Sequence, residues 1–221
     1  MNTNQVTLGY WSIRGLAEPI RLLLEYLEIP YKQDIYTSKE QWEEKKSQLN
    51  TLFPNLPYLI DGDKTLTESE ALLACVCIKA GKPEMIGKDE DLVEFIQLKG
   101  VIGDIIRGFN RPMYTNKDTE GLKKEIANAG QSNALKLKGL EDILGKKEWV
   151  LGYISYLDFL LAEFAERWII MDQEVGTEIT KNYPSIVAHT KRLLELAKIK
   201  EYRQSERFHA RPINMPFAFW K

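Results

Sequence analysis

Four short stretches of this sequence carry side chains that can do chemistry. At Tyr10-Trp11 a phenol and an indole stand where a short apolar run, Val6 to Gly9, ends and an amphipathic segment begins. A phenol is protonated at neutral pH and donates one hydrogen bond, so it can stabilise an anion placed against it. Glu68-Ser69 opens a run of small and apolar residues. A helix start offers unpaired N–H groups and a positive dipole end, which together suit a carboxylate. Trp42 and Lys46 lie four apart and share a face of any helix over them. An indole N–H beside an ammonium also suits a carboxylate. In Asn55-Leu56-Pro57 the proline immediately precedes a strand-like run, a place where X-Pro bonds can be cis. Each stretch also has a plain structural reading. Tyr10 can cap a strand with its ring in the core, and Trp11 and Trp42 can be packing residues. Glu68-Ser69 can be an ordinary helix cap, and Pro57 a trans turn residue.

Composition removes several classes of function. Of 221 residues, 44% are hydrophobic and 28% charged, the balance of a soluble globular protein. A net charge of −2 gives no electrostatic case for binding nucleic acid. No apolar run reaches the roughly 18 residues of a membrane helix. The N-terminal stretch lacks the basic and apolar regions of a signal peptide, so a cytoplasmic protein is expected. Cys75 and Cys77 are two apart, which suits neither a CxxC redox pair nor a four-ligand zinc site. They read as small buried hydrophobes in a reducing compartment. His189 and His209 have no ligand pattern around them, so no metal is expected and both read as structural or surface residues.

The elements that must position these side chains can be read from periodicity. Residues 4–10 alternate like a strand, and 17–28 form a helix with Ile20, Leu23, Leu24 and Leu27 on one face. Residues 31–37 read as a second strand, and 38–49 as a short helix or irregular loop around Trp42. Tyr58–Ile60 and Lys64–Leu66 flank Asp61-Gly62-Asp63 as a hairpin, and residues 69–80 as a helix stopped by Gly81. This is a β-α-β unit followed by β-β-α, a compact α/β layer. After Pro83 only helical periodicity remains, in stretches 89–109, 119–145, 155–171 and 183–199. Ser155 to Asp158 reads as a capping box. The expected domains are therefore 1–82, a linker at 83–89, and an all-helical domain at 90–221 whose apolar tail packs back on the body.

Taken together, "LGYWSIRGLAEPIRLLLEY", "FPNLPYLIDG", "LTESEALL", "GYISYLDFLL" and "SERFHARP" resemble the cytosolic glutathione transferases, most of all the mu class, nearly end to end. The resemblance implies a thioredoxin-like N-terminal domain followed by an all-α helical domain. It implies an enzyme that conjugates the thiolate of glutathione, a co-substrate, to electrophilic and mostly apolar small molecules. Free thiols have a pKa near 8.5, so a donor that favours the thiolate raises the reactive fraction at neutral pH. The resemblance gives that role to Tyr10. It lays Trp11 against the tripeptide and pairs the backbone of Leu56, before a cis Pro57 and beside Asn55, with the extended peptide. Glu68 and Ser69 hold the γ-glutamyl end, and Trp42 and Lys46 the glycyl carboxylate.

In the helical domain the resemblance implies that Asp104 reaches the partner's glutathione amine in a homodimer, and that Phe53 plugs into the partner subunit. Leu16, Tyr114 and the tail from Ile213 to Phe217 face the second substrate. The chain departs from the mu pattern in three places. The stretch from Tyr36 to Trp42 is several residues shorter and lacks a glutathione-contacting arginine, leaving Lys39 as a weak substitute. Glu68 replaces a glutamine, and an interface arginine after Ser69 is missing. The alternatives are a non-catalytic carrier of apolar ligands on the same fold, or a glutathione-dependent isomerase or peroxidase. A disulfide reductase does not fit, because the first strand–helix junction has no cysteine.

Overall fold

The computed structural model describes residues 5–221. The first expected strand begins at Asn4, outside the described residues, and is observed as β1, Val6–Trp11. There follow α1 (Glu18–Tyr26), β2 (Tyr31–Tyr36), α2 (Lys39–Lys46), β3 (Tyr58–Asp61), β4 (Lys64–Thr67) and α3 (Ser69–Lys79). The sheet order is β2-β1-β3-β4, with β1 parallel to β2 and the other pairs antiparallel. α1 forms where expected: Pro19 suits its first turn, and Ile20, Leu23 and Leu24 are fully buried. The segment around Trp42, open between helix and loop in sequence, is helical. Ser38 caps it by accepting from Gln41 N–H at 3.3 Å, and Trp42 is its one buried residue.

The chain forms two compact units. One runs to Pro83 and also includes Ala197–Asn214; the other comprises Glu84–Leu196 and Met215–Lys221. The helical unit contains α4 (Leu92–Thr115), α5 (Thr119–Ser132), α6 (Ala134–Leu144), α7 (Tyr156–Val175) and α8 (Pro184–Leu194), while α9 (Ala197–Arg203) joins the first unit. The Tyr202 hydroxyl of α9 donates to Glu18 of α1 at 3.0 Å, a buried bond that α9 makes within that unit.

Several helix boundaries differ from the periodic reading, among them the end of α1 at Tyr26 and that of α7 at Val175. The helix expected to stop at residue 109 runs on through Pro112, and its last turn is closed by Asn116, whose backbone and side-chain N–H both donate to the Pro112 carbonyl. The single helix expected over 119–145 is broken at Asn133. The backbone N–H and the side-chain amide of Asn133 both donate to the Ala129 carbonyl, at 3.1 and 2.9 Å, and close the last turn of α5. The stretch 183–199 is likewise split, between α8 and α9. The capping box is present at the start of α7: the Ser155 N–H and hydroxyl both reach Asp158. Asp158 also accepts from Val150 N–H and bonds buried His189, which is therefore a structural residue.

Candidate active site

Tyr10 is the penultimate residue of β1 and is 6% exposed. Its hydroxyl oxygen accepts the Leu16 N–H at 3.0 Å. A hydroxyl that accepts in this way has its own hydrogen to donate to an anion. The loop that supplies the Leu16 N–H is held from several sides. Arg14 N–H and Gly15 N–H donate to the Pro212 and Ile213 carbonyls, each at 3.0 Å, so the C-terminal stretch of the first unit fixes the loop backbone. From α1, the guanidinium of Arg21 donates to the Ile13 carbonyl at 3.2 Å, to Glu18 at 2.9 Å and to Gln33 at 2.7 Å. Burial is the largest influence on Arg21 and opposes its charge, but Glu18, Tyr202 and Tyr31 together outweigh it and raise the pKa. Burial and the same carboxylate push the Tyr202 phenol up, so it stays a donor.

Gly15 has φ +45°, and a Cβ built there would lie 2.5 Å from both Cε1 and the hydroxyl of Tyr10. Only glycine admits both this backbone and this approach. The sequence places a glycine here but gives no sign that it seats the phenol.

The other expected residues of the first unit fall into two groups. Trp11 and Leu56 pack against a buried cluster of Tyr36, Trp42 and Tyr58. Lys46 lies one turn beyond Trp42 on α2. Neither the Trp42 indole N–H nor the Lys46 ammonium has a protein partner among the described residues. In the second group, Leu56-Pro57 is cis, and Asn55 links two expected contacts. Its side chain accepts the Leu56 N–H at 2.9 Å and donates to Glu68 at 3.3 Å. Glu68 has φ +70° and ψ +110°, strained for a side-chain-bearing residue by roughly 1–3 kcal/mol, and leads directly into Ser69 at the start of α3. Lys39 opens α2 and is exposed, beside Glu40, whose carboxyl is held below the usual range by its own backbone N–H foremost, with Lys39 helping.

Leu16, in the first unit, is 42% exposed. In the helical unit Tyr114 is 38% exposed and meets Phe217 of the tail, ring centroids 5.7 Å apart. Asp104, on α4, pairs with Lys136 and Arg107. Those two cations, Lys136 foremost, hold its carboxyl below the usual carboxylate range. Among the described residues, no three His, Cys, Asp or Glu side chains are grouped to hold a metal.

The site thus sits on a four-stranded sheet of β-α-β, β-β-α order with a phenol at the end of β1 and a cis proline before β3, and a helical unit follows in sequence. Residues 6–74 match the model of the glutathione S-transferase N-terminal domain, and residues 103–206 that of the C-terminal domain. The chain belongs to the glutathione S-transferases. Within that family it is similar to mu-class proteins. It is 36% identical over 210 residues to the class-mu 26 kDa isozyme of Schistosoma japonicum, covering 93% of this chain and 91% of that one. It is 34% identical over 228 residues to glutathione S-transferase Mu 2 of Homo sapiens, covering 97% and 98%. Among solved structures, glutathione S-transferase Blo t 8 matches with a TM-score of 0.83 and 30% identity, over 96% of this chain and 98% of that one.

Proposed function

We infer that this chain is a glutathione transferase that joins the glutathione sulfur to electrophilic, mostly apolar small molecules. The observation that carries the reading is the Tyr10 hydroxyl at the end of β1, fixed in place by the Leu16 N–H it accepts and by the close approach of Gly15. Glutathione loses its thiol proton to solvent, and Tyr10 stabilises the thiolate by hydrogen bonding, not by acting as a base. The thiolate attacks the electrophilic carbon, a C–S bond forms, and the leaving group departs with its electron pair. In this reading Ser69 and the first N–H groups of α3 hold the γ-glutamyl carboxylate, and Glu68 accepts from the α-amine. Asn55, Leu56 and Pro57 shape the edge that pairs with the cysteinyl backbone. Trp42 and Lys46 take the glycyl carboxylate, Trp11 supports the same peptide, and Leu16 contacts the electrophile. No step needs a metal, and the protein works in the cytoplasm.

The chain acts as a two-fold homodimer in the same reading. Leu52 and Phe53 are 89% and 71% exposed at one loop, a costly arrangement for a lone chain. On the helical unit, Leu98, Val101, Leu135, Leu140 and Ile143 line a groove of about 350 Å³, which an aromatic ring from a second copy would fill. Asp104 contributes from α4 to the partner's glutathione site.

A carrier that binds apolar ligands without chemistry has no use for a seated donor at Tyr10. The test is conjugation of glutathione to a generic aromatic halide, wild type beside Tyr10→Phe. The transferase reading expects turnover in wild type and a large loss in the variant with glutathione still bound. Wild-type binding to immobilised glutathione with no conjugation would favour the carrier.

A further inference from the structure

The sheet holds a row of residues that the reaction as described does not use. Gly9 of β1 is in register with Asp34 of β2 on one side and with Tyr58 of β3 on the other. A Cβ at Gly9 would lie 2.1 Å from two ring carbons of Tyr58. The Tyr58 ring therefore lies flat across β1 over the bare glycine. Its hydroxyl reaches beyond β1 and donates to Asp34 at 2.7 Å. The Tyr36 and Tyr58 hydroxyls are 2.6 Å apart, and since Tyr58 donates to Asp34, Tyr36 donates to Tyr58. Burial pushes both phenols above their usual range, so both keep their hydrogens and the chain of donors runs one way, from Tyr36 through Tyr58 to Asp34.

This row is the seat of α2. Trp42, the only buried residue of that helix, stacks on Tyr58 with centroids 6.3 Å apart and planes 21° apart, and meets the edge of Tyr36 at 5.7 Å. Asp34 lies 3.7 Å from Lys45 of the same helix. The rest of α2, "KEQWEEKK", is charged or polar and has nothing else apolar to bury. One indole therefore anchors the helix, and the direction in which Trp42 and Lys46 point depends on the ring beneath that indole.

We propose that Gly9, Asp34, Tyr36 and Tyr58 form a positioning device for the glycyl end of glutathione, a cross-sheet hydroxyl chain that fixes α2 and with it Trp42 and Lys46. The proposal rests on the assignment of those two residues to the glycyl carboxylate. Asp34 and the two tyrosines touch no reacting atom; they act through the stacked indole. The shortened connection from Tyr36 to Trp42 makes the device local, because α2 begins only three residues after β2 ends.

The test compares glutathione with glutathione whose glycyl carboxylate is converted to an amide, in wild type, Tyr58→Phe, Asp34→Ala, Asp34→Asn and Lys46→Met. Tyr58→Phe keeps the ring under Trp42 and removes only the hydroxyl. KM for glutathione is expected to rise about 5-fold in Tyr58→Phe and Asp34→Ala, as follows when the seated form of α2 drops to roughly a fifth. The kcat at saturation should move less than KM, and the amide should lose little. Asp34→Asn keeps an oxygen acceptor for Tyr58 and should recover most of the loss. Equal losses for both ligands, or loss of kcat alone, would show a merely structural role and overturn the proposal. Lys46→Met separates the two levels. If it discriminates between the ligands while Tyr58→Phe does not, only the positioning role fails. If it does not discriminate, the carboxylate assignment fails and the positioning role falls with it.

Discussion

Replacing Gly15 with alanine tests how the phenol of Tyr10 is seated. The new Cβ would lie 2.5 Å from the Tyr10 hydroxyl and from Cε1, where ordinary contact begins near 3.4 Å. The ring or the loop must therefore give by close to an ångström. The loop has little freedom, because Arg14 and Gly15 N–H are bound to Pro212 and Ile213 carbonyls and Arg21 holds the Ile13 carbonyl. The phenol is the part that moves. A misplacement of that size in a positioned group costs about 100-fold in rate. The backbone at φ +45° adds roughly 1–2 kcal/mol of strain for alanine, which lowers Tm by about 2–8 °C in a chain of this size. The assay is steady-state conjugation with glutathione affinity measured separately and a thermal melt on the same sample. The expected variant folds, binds glutathione within a few-fold of wild type and turns over about 100-fold more slowly. A variant that melts lower but keeps wild-type kcat would refute the claim that Gly15 sets the hydroxyl's position.

Three further outcomes follow from separate parts of the structure. Phe53→Ala should weaken the proposed dimer by about 30-fold, the ~2 kcal/mol of an aromatic anchor, as read by sedimentation; unchanged self-association, or none in wild type, would remove Phe53 from the proposed interface. Glu68→Gly relaxes a backbone at φ +70° and so should hold or raise stability by up to about 1 kcal/mol while raising KM for glutathione. A variant that binds glutathione as well as wild type would exclude Glu68 from the amine site. Lys136 and Arg107 lower the folded-state pKa of Asp104, so their pairing stabilises the fold above the ordinary carboxylate range and is lost as pH falls through the lowered value. Asp104→Asn should therefore melt slightly below wild type at neutral pH, with the gap closing in acid; a gap that widens on acidification would contradict the pairing.

Much of the first unit was legible because its signals are local. The apolar spacing of α1, the Asp61-Gly62 turn and the Leu56-Pro57 pair each lie within a few residues; β3 and β4 flank that turn, and α1 forms but ends at Tyr26, before Leu27. The break at Asn133 was not legible, because a side-chain amide that joins the backbone N–H on the Ala129 carbonyl leaves no trace in periodicity. Nor was the membership of α9 in the first unit, since its bond to Glu18 joins residues 184 apart in sequence. At the site, chemistry and resemblance name candidates for ligand contact. The residues that seat them could not be named in this way. Gly9 and Gly15 matter through what their missing Cβ atoms leave room for, the rings of Tyr58 and Tyr10. Asp34 matters because Tyr58 reaches it across β1.

The most direct measurement is a pH titration of enzyme-bound glutathione by the ultraviolet absorbance of its thiolate, wild type against Tyr10→Phe. A hydrogen bond to a charged group contributes about 1.5–3 kcal/mol, which is roughly 1–2 pKa units at 1.36 kcal/mol each. The account predicts a bound thiol that titrates well below the ordinary value near 8.5 in wild type and moves back toward it by that amount in the variant. Superimposable titrations, with both proteins saturated with glutathione, would contradict it.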